Sequence, residues 1–383
     1  MAGVLGRERG DVGSELRAVR RFREAHGAAT AGVFRLLLAG GGPASMIAKV
    51  FRQNEPGSCP REVAVYRSGV HAEMPPPCSA PKFYGYTENG DGTGILWLED
   101  LGEQPDRLRM PMSSEEYRLA GEALGGLGGR WASAPPGYAW LATGALVEHG
   151  RQWLVPEDLS TRARPGTALQ RRLARTAPHT GVLLDAFAAL PRTLCHQDAT
   201  PRNIAIPRRP GPTRVVLLDW ETCGLGPLGQ DVASLVWSLW RFAPIDRVLT
   251  REDVALQGYL DGVERAGVAL TARVRDGLRL AYLTAVAVRF LVEIANMAPY
   301  PIVSVAVDRL EETRGHDYTR DFAYWFMPSL PPSRELVEGV RGQLSRKDLR
   351  ADLRRVYVDA LEEAERALVA RELDRATQDR ALT

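Results

Sequence analysis

Residues 194–221, LCHQDATPRNIAIPRRPGPTRVVLLDWE, allow few local structures. A polar loop leads into a short apolar run, a turn rich in proline and glycine, and a strongly apolar run that stops at Asp219. Two such runs on either side of a Pro/Gly turn predict a β-hairpin. The hairpin carries Asn203, at the start of one strand, and Asp219, at the end of the other, to the same edge. A carboxylate and an amide oxygen brought together there are hard ligands suited to Mg²⁺. Asp198, on the same loop, then faces the nucleophile. His196 reads as a residue that fixes the loop rather than as an acid or base. Asp231 opens an amphipathic helical pattern, which suits an N-cap that also braces the loop from behind.

This arrangement points to phosphoryl transfer, in which a metal offsets charge on the β- and γ-phosphates and an aspartate accepts the proton of an attacking hydroxyl. The spacing His-x-Asp-x4-Asn alone could be a coincidence, so a second test is needed. The upstream sequence supplies one. Lys49 sits in the middle of an apolar strand pattern, SMIAKVF, where a charge needs a reason. It is one of only three lysines (with Lys82 and Lys347) among 49 basic residues. A lysine is a compact point charge, and the wide planar guanidinium of arginine does not replace it everywhere. Glu62 opens a helical pattern thirteen residues later, where a partner for Lys49 could sit. HGAATAG (26–32), which contains Gly27 and Thr30, is small and glycine-flanked, as a loop over phosphates must be, but it is no Walker motif. ILWLEDLG (95–102) reads as a strand entering a linker, with backbone groups near Glu99 and Leu101 available to a purine.

Along the chain, sheet-like runs at 31–40 and 44–51, two more about a Gly/Asn/Asp-rich turn within 82–102, and a short helix at 61–69 give way near residue 100 to helical periods. These fall at 114–132, 181–190, 231–242, 251–266, 271–297 and 349–380, while 133–170 fits no regular pattern. Composition, 45% hydrophobic and 25% charged with a formal charge of +2, is that of a globular protein with room for two cores. The basic residues are scattered, which argues against a nucleic-acid partner. No uncharged apolar run reaches membrane-spanning length, no signal-peptide pattern opens the sequence, and four cysteines without metal spacing suit a reducing compartment. The expectation is a cytoplasmic protein, monomeric or homodimeric.

GPASMIAKVF, REVAVYR, LCHQDATPRNIAI and LLDWETCGLGPLGQDVASL together resemble the aminoglycoside phosphotransferase and choline kinase-like superfamily, and in phrasing its ecdysteroid-kinase-like and related bacterial branch. The resemblance covers about residues 25–240. It implies an α+β, two-lobed protein-kinase-like fold, with a small antiparallel-sheet nucleotide lobe at 1–98 and a larger helical catalytic and acceptor-binding lobe at 99–383. Carried over, Asp198 is the catalytic base, Asn203 and Asp219 are Mg²⁺ ligands, and Lys49, held by Glu62, contacts the α- and β-phosphates of ATP or GTP. Gln197 stands where glycine is common, the metal segment reads Asp-Trp-Glu, and no Ala-Pro-Glu activation segment follows. The last two features favour a small-molecule kinase over a protein kinase.

The acceptor is less legible. Glu293, Glu311, Glu312, Asp317 and Asp321 alternate with Arg289, Arg309, Arg314 and Arg320, so no acidic cluster of the kind that anchors polycations is evident. The aromatic stretch 316–328 is either stacking surface or a buried helix. An antibiotic or similar natural product is the first expectation for the acceptor, and a sugar, amino alcohol or other small alcohol the second. A nucleotide-binding pseudokinase, docking partners through 349–380, is the reading from another class.

Overall fold

In SMIAKVF the side chains alternate faces, as a period of two requires. The computed structural model builds from that alternation, and it describes residues 16–23, 30–39, 43–52, 60–89, 93–103, 112–153, 155, 174, 177–207, 212–237 and 245–297. Strands β1 (Leu16–Arg23), β2 (Thr30–Leu38), β3 (Ser45–Phe51), β5 (Phe83–Glu88) and β6 (Gly94–Glu99) form an antiparallel sheet in the order β1-β2-β3-β6-β5. Met46 and Ala48 on one face of β3 join Leu36, Leu38 and Trp97 in a small core. Phe51 and Ile47 on the other face join the main core, and Lys49 shares that face, opposite Val33 on β2 and Leu96 on β6. The sequence reading missed β1. Its LRAVRRFR carries four arginines in eight residues, which hides the strand period, and only its pairing with β2 fixes it as an edge strand.

Helix α1 (Arg61–Ser68) follows β3 and ends at Gly69, whose φ of 77° is the left-handed backbone that a helix C-terminus favours. Beyond residue 100 the chain is mainly helical. Helix α2 (Ser114–Arg130) starts with a capping box, in which Ser113 accepts from the Glu116 amide while the Glu116 carboxylate accepts from that of Ser113. It packs on α6 (Ile245–Arg265) at backbone range. A Cβ added at Gly125 would lie 2.0 Å from the Tyr259 carbonyl oxygen, and one at Gly262 would lie 2.0 Å from that of Glu122. Helices α3 (Ala145–Trp153), α4 (Thr180–Ala188), α5 (Gln230–Trp237) and α7 (Ala272–Met297) complete the described helical part.

Short strands mount the central loops on this helical base. β4 (Cys78–Ser79), β10 (Val215–Leu217) and β9 (Ile204–Ala205) make one small sheet. β7 (Ala142–Thr143), β11 (Gly224–Pro227) and β8 (Arg192–Cys195) make another, which places part of the unassigned 133–170 segment beside the loop at 196–203. β9 and β10 are the expected hairpin, with Leu217 opposite Ile204. The fold is mixed α+β, an N-terminal antiparallel sheet followed by a helical part. The aromatic stretch at 316–328, the helical period at 349–380, the end of the period at 231–242 beyond residue 237, and Gly27 lie outside the described residues.

Candidate active site

The loop between β8 and β9 is built around buried polar contacts. Asp231 lies in the first turn of α5 rather than at its N-cap, and its carboxylate accepts the backbone N–H groups of His196 at 2.7 Å and Gln197 at 2.8 Å. Burial pushes this carboxyl up to about 6, against the two N–H groups that favour its charged form. His196 is fully buried against Trp220, with ring centroids 4.5 Å apart. Its Nε2 lies 2.9 Å from the Leu218 carbonyl, and its Nδ1 accepts the Asp198 N–H at 3.3 Å. Those contacts assign the neutral tautomer with Nε2 protonated, and burial pushes the imidazole down to about 4. The ring is therefore a strut between the loop and the end of β10.

Among the described residues two non-glycine residues hold left-handed backbone, Gln197 (φ 66°) and Asp219 (φ 62°). Aspartate tolerates that conformation better than glutamine, whose longer side chain gains no local compensation. Asn203 closes the loop: its Nδ2 donates to the Asp198 carbonyl at 2.9 Å and to Asp198 Oδ2 at 2.8 Å. With its nitrogen committed, the Asn203 carbonyl oxygen is left for another partner. The Leu218 N–H donates to the backbone carbonyl of Asn203 at 2.8 Å, leaving the side-chain Oδ1 untouched, and ties the loop to the residue before Asp219. The hairpin thus brings Asn203 and Asp219 to one edge. Burial pushes the Asp198 carboxyl above its ordinary value, with Arg289 opposing and Asp219 adding to the rise.

Lys49 bridges the two halves. Its Nζ lies 2.5 Å from Glu62 Oε2 and 2.7 Å from Asp219 Oδ1. Burial alone would lower the ammonium, but the two carboxylates outweigh it and hold it above its ordinary value. Glu62 is buried, whereas the Asp219 side chain is 45% exposed and opens towards solvent.

The remaining expected residues are dispersed around this centre. Thr30 is buried at the start of β2, where its carbonyl accepts from Arg52 Nε. Glu99 ends β6 with its amide donating to the Lys82 carbonyl and its carboxylate paired with Arg214 at 3.4 Å. Leu101 packs with Ala205, Val216 and Leu218, so the linker rests on the β9–β10 hairpin. Sequence reasoning overlooked three residues. Thr222 Oγ1 donates to the His196 carbonyl at 3.0 Å. Arg61 donates to the carbonyls of Trp140 and Glu221, joining α1 to the turn after Asp219. Arg289 of α7 donates through Nη2 to the Gln197 carbonyl at 2.5 Å. Only Arg289 carried a readable signal, a charge interrupting the apolar run AVAVRFLV, the same signal that marked Lys49.

Among the described residues no group of three or more His, Cys, Asp or Glu forms a self-contained metal site, and no helix is long and apolar enough to cross a membrane.

The profile of the phosphotransferase enzyme family APH matches residues 22–268, more than half of the chain. The chain belongs to this family. The matched range of the APH family holds Lys49, Glu62, Glu99, Asp198, Asn203, Asp219 and Asp231, and it ends before Arg289. No curated protein matches the chain. Among solved structures it is similar to a microcompartment-associated aminopropanol kinase at 14% identity, with 86% of this chain and 93% of that one covered and a TM-score of 0.49. It is similar to a spectinomycin phosphotransferase, solved with ADP and spectinomycin, at 10% identity, 85% and 92% coverage and a TM-score of 0.47. A choline kinase from Cryptosporidium parvum Iowa II matches at 10% identity, with 86% and 91% coverage and a TM-score of 0.46. At such identities nothing about the acceptor of this phosphotransferase follows from these likenesses.

Proposed function

We propose that the chain is a Mg²⁺-dependent kinase that moves the γ-phosphate of a nucleoside triphosphate, ATP by default and GTP as the alternative, to a hydroxyl of a small molecule. The observation that carries this reading is Lys49 held between Glu62 and Asp219, with the Asp198–Asn203 pair tied to the same hairpin. Residues 1–98 are the nucleotide lobe, in which Lys49 contacts the α- and β-phosphates and Glu62 keeps it extended. The linker at Glu99 and Leu101 lines the purine, and Gly27 and Thr30 flank the phosphate-covering loop. Residues 99–383 supply the catalytic loop and the acceptor surface.

The donor set fits a divalent cation. Asp219 is open to solvent on its free side, and the Asn203 amide nitrogen is committed to Asp198, so its oxygen is the group left to coordinate. Two protein oxygen ligands suit Mg²⁺, which fills its remaining positions with phosphate oxygens and water. When bound, Mg²⁺ supplies charge neutralisation on the phosphates. Asp198, its Oδ2 fixed by Asn203, takes the proton as the acceptor oxygen bonds to the γ-phosphorus and the bond to the β-phosphate oxygen breaks. His196, neutral and buried, holds the loop in place and transfers no proton.

The acceptor is a hydroxyl of an antibiotic or related natural product. The test is a donor-by-acceptor screen with product mass as readout. Asp198→Asn should lower kcat by roughly 10²–10⁴-fold while Mg²⁺-nucleotide binding persists, and Asp219→Ala should weaken that binding itself. Unchanged turnover in the first variant would remove Asp198 from the chemistry, and a pure nucleotide binder would bind Mg²⁺-nucleotide but phosphorylate no acceptor in the screen.

A further inference from the structure

The ladder between β8 and β11 ends at Cys195, and from His196 to Asp198 side chains hold the backbone instead. The His196 carbonyl accepts from Thr222 Oγ1 and the Gln197 N–H donates to Asp231 Oδ1, so the peptide joining these two residues is fixed at both ends. The next peptide carries Asp198. Its N–H makes one long contact, 3.3 Å to His196 Nδ1, while its carbonyl, that of Gln197, accepts from Arg289 Nη2 at 2.5 Å. Gln197, between the two planes, is held at φ 66°. A glutamine kept in that conformation relaxes by turning a neighbouring peptide unless its surroundings prevent it.

The arginine that prevents it is placed at a cost. Arg289 stands in an apolar stretch of α7, next to the buried Val288 and one turn from the buried Ala285 and Val286. Burial pulls its guanidinium below the ordinary value, against the attraction of Asp198 and Asp231. Among the described residues its hydrogen bond goes to a backbone carbonyl and not to a carboxylate. A charge set there for an ion pair would touch an anion; this one touches the catalytic loop. Helix α7 packs on α5, which bears Asp231. Two neighbouring helices thus grip Gln197, an anion at its N–H and a cation at its carbonyl.

We infer that Arg289 is a positioning residue for phosphoryl transfer: by holding the Gln197 carbonyl it fixes the peptide that carries Asp198, and so the aim of that carboxylate. This inference rests on the kinase reading, in which Asp198 takes the proton. It extends the machinery to α7, beyond residue 268, where the family match ends. Without Arg289 the peptide before Asp198 keeps only its long contact to His196, while the one before Gln197 stays fixed by Thr222 and Asp231. The loss therefore falls on the placement of the base and leaves the Lys49–Glu62–Asp219 contacts, on which the nucleotide depends, in place.

Arg289→Met removes the donor and keeps the length of the side chain. With an acceptor from the screen above, it should lower kcat roughly 10²-fold, the effect of a displacement of about 1 Å, and Arg289→Lys, which keeps a cationic donor, should recover about tenfold of that loss. KM for the acceptor and the calorimetric affinity for Mg²⁺-ATP should stay native in both. Unchanged kcat overturns the inference. So does a loss spread over kcat, KM and nucleotide affinity alike, because a general loosening of the helical part acts on all three. Arg289→Lys no better than Arg289→Met overturns it too. If Arg289→Met does not fold, Arg289→Gln, neutral and too short for the same contact, decides by the same split. Amide hydrogen exchange supplies a readout that needs no acceptor: in the variant that folds it should quicken across 196–203 and stay native across 281–288. Native exchange across 196–203 overturns the inference while leaving the kinase reading standing. No transfer by the native protein to any acceptor removes both.

Discussion

Lys49 shows how much one side chain can be asked to do when its surroundings are tight. An ammonium in contact with two carboxylates from α1 and from the end of the hairpin has room for a point charge, not for a planar fork. In a chain that otherwise uses arginine almost exclusively, Lys49→Arg keeps the charge and should still weaken Mg²⁺-nucleotide binding by roughly tenfold, because the fork cannot satisfy both carboxylates in the same geometry. Calorimetric titration with Mg²⁺-ATP measures it, and native affinity would show that Lys49 serves only as a generic cation. His196 gives a pH prediction. Its folded value of about 4 lies below the ordinary 6.5, so the unfolded chain takes up the proton first as pH falls. Stability from keeping the ring neutral is complete above about pH 6.5 and is lost progressively towards pH 4, by up to about 3 kcal/mol. Asp231, pushed up to about 6, works in the opposite sense below that pH and offsets part of the loss. His196→Gln, which keeps a donor for the Leu218 carbonyl, should therefore show a smaller fall in stability between pH 6.5 and 4 than the native protein. An acid limb of equal size in denaturant melts would sink the assignment.

At the level of elements, the pairing of α2 with α6 gives one substitution two signs. Gly125→Ala would drive a methyl into the Tyr259 carbonyl of the partner helix and should cost about 3 kcal/mol. Gly277→Ala, on α7 with nothing within 4 Å of the new Cβ, should instead stabilise by about 0.5–1 kcal/mol, since it removes backbone freedom from the unfolded chain. Urea unfolding of the two variants checks both signs, and destabilisation by each would mean that Gly277 has a packing constraint. What sequence reading could reach follows the same division. The long helices and the β9–β10 hairpin were legible because their apolar spacing is local. The two-residue strands β4 and β7 were not, since each exists only through pairing with residues far along the chain. β1 was lost to its arginines. At the site, the spacing of Asp198, Asn203 and Asp219 could be read, as could the out-of-place charge at Lys49. The backbone contacts of Thr222 and Arg61 could not, because an arginine or threonine that serves a distant carbonyl has no pattern of its own.

Across the whole molecule, the sheet and the helical part are stitched together by a few long-range polar contacts. Lys49 meets Asp219, Arg61 meets the Glu221 and Trp140 carbonyls, and Glu99 meets Arg214. Arg61 sits beside Glu62, so its grip on the turn after Asp219 fixes the position of α1 relative to the hairpin. Arg61→Ala should lower kcat by roughly ten- to a hundred-fold through misplacement of Glu62 and Lys49, while affinity for the acceptor changes little. Steady-state kinetics resolves kcat from KM, and an unaltered kcat would mean that α1 is held in place without this tether.

The strand β1 has a consequence for the behaviour of the protein in concentrated solution. An outer strand leaves a row of unpaired amides and carbonyls on which another chain could extend the sheet, the route by which many β-proteins aggregate. Among the described residues that border is LRAVRRFR, and a second copy docking there would bring four more arginines to a strand that already carries four, a like-charge cost. The arginines that hid the strand from a reader of the sequence therefore also hide it from other molecules of the same kind.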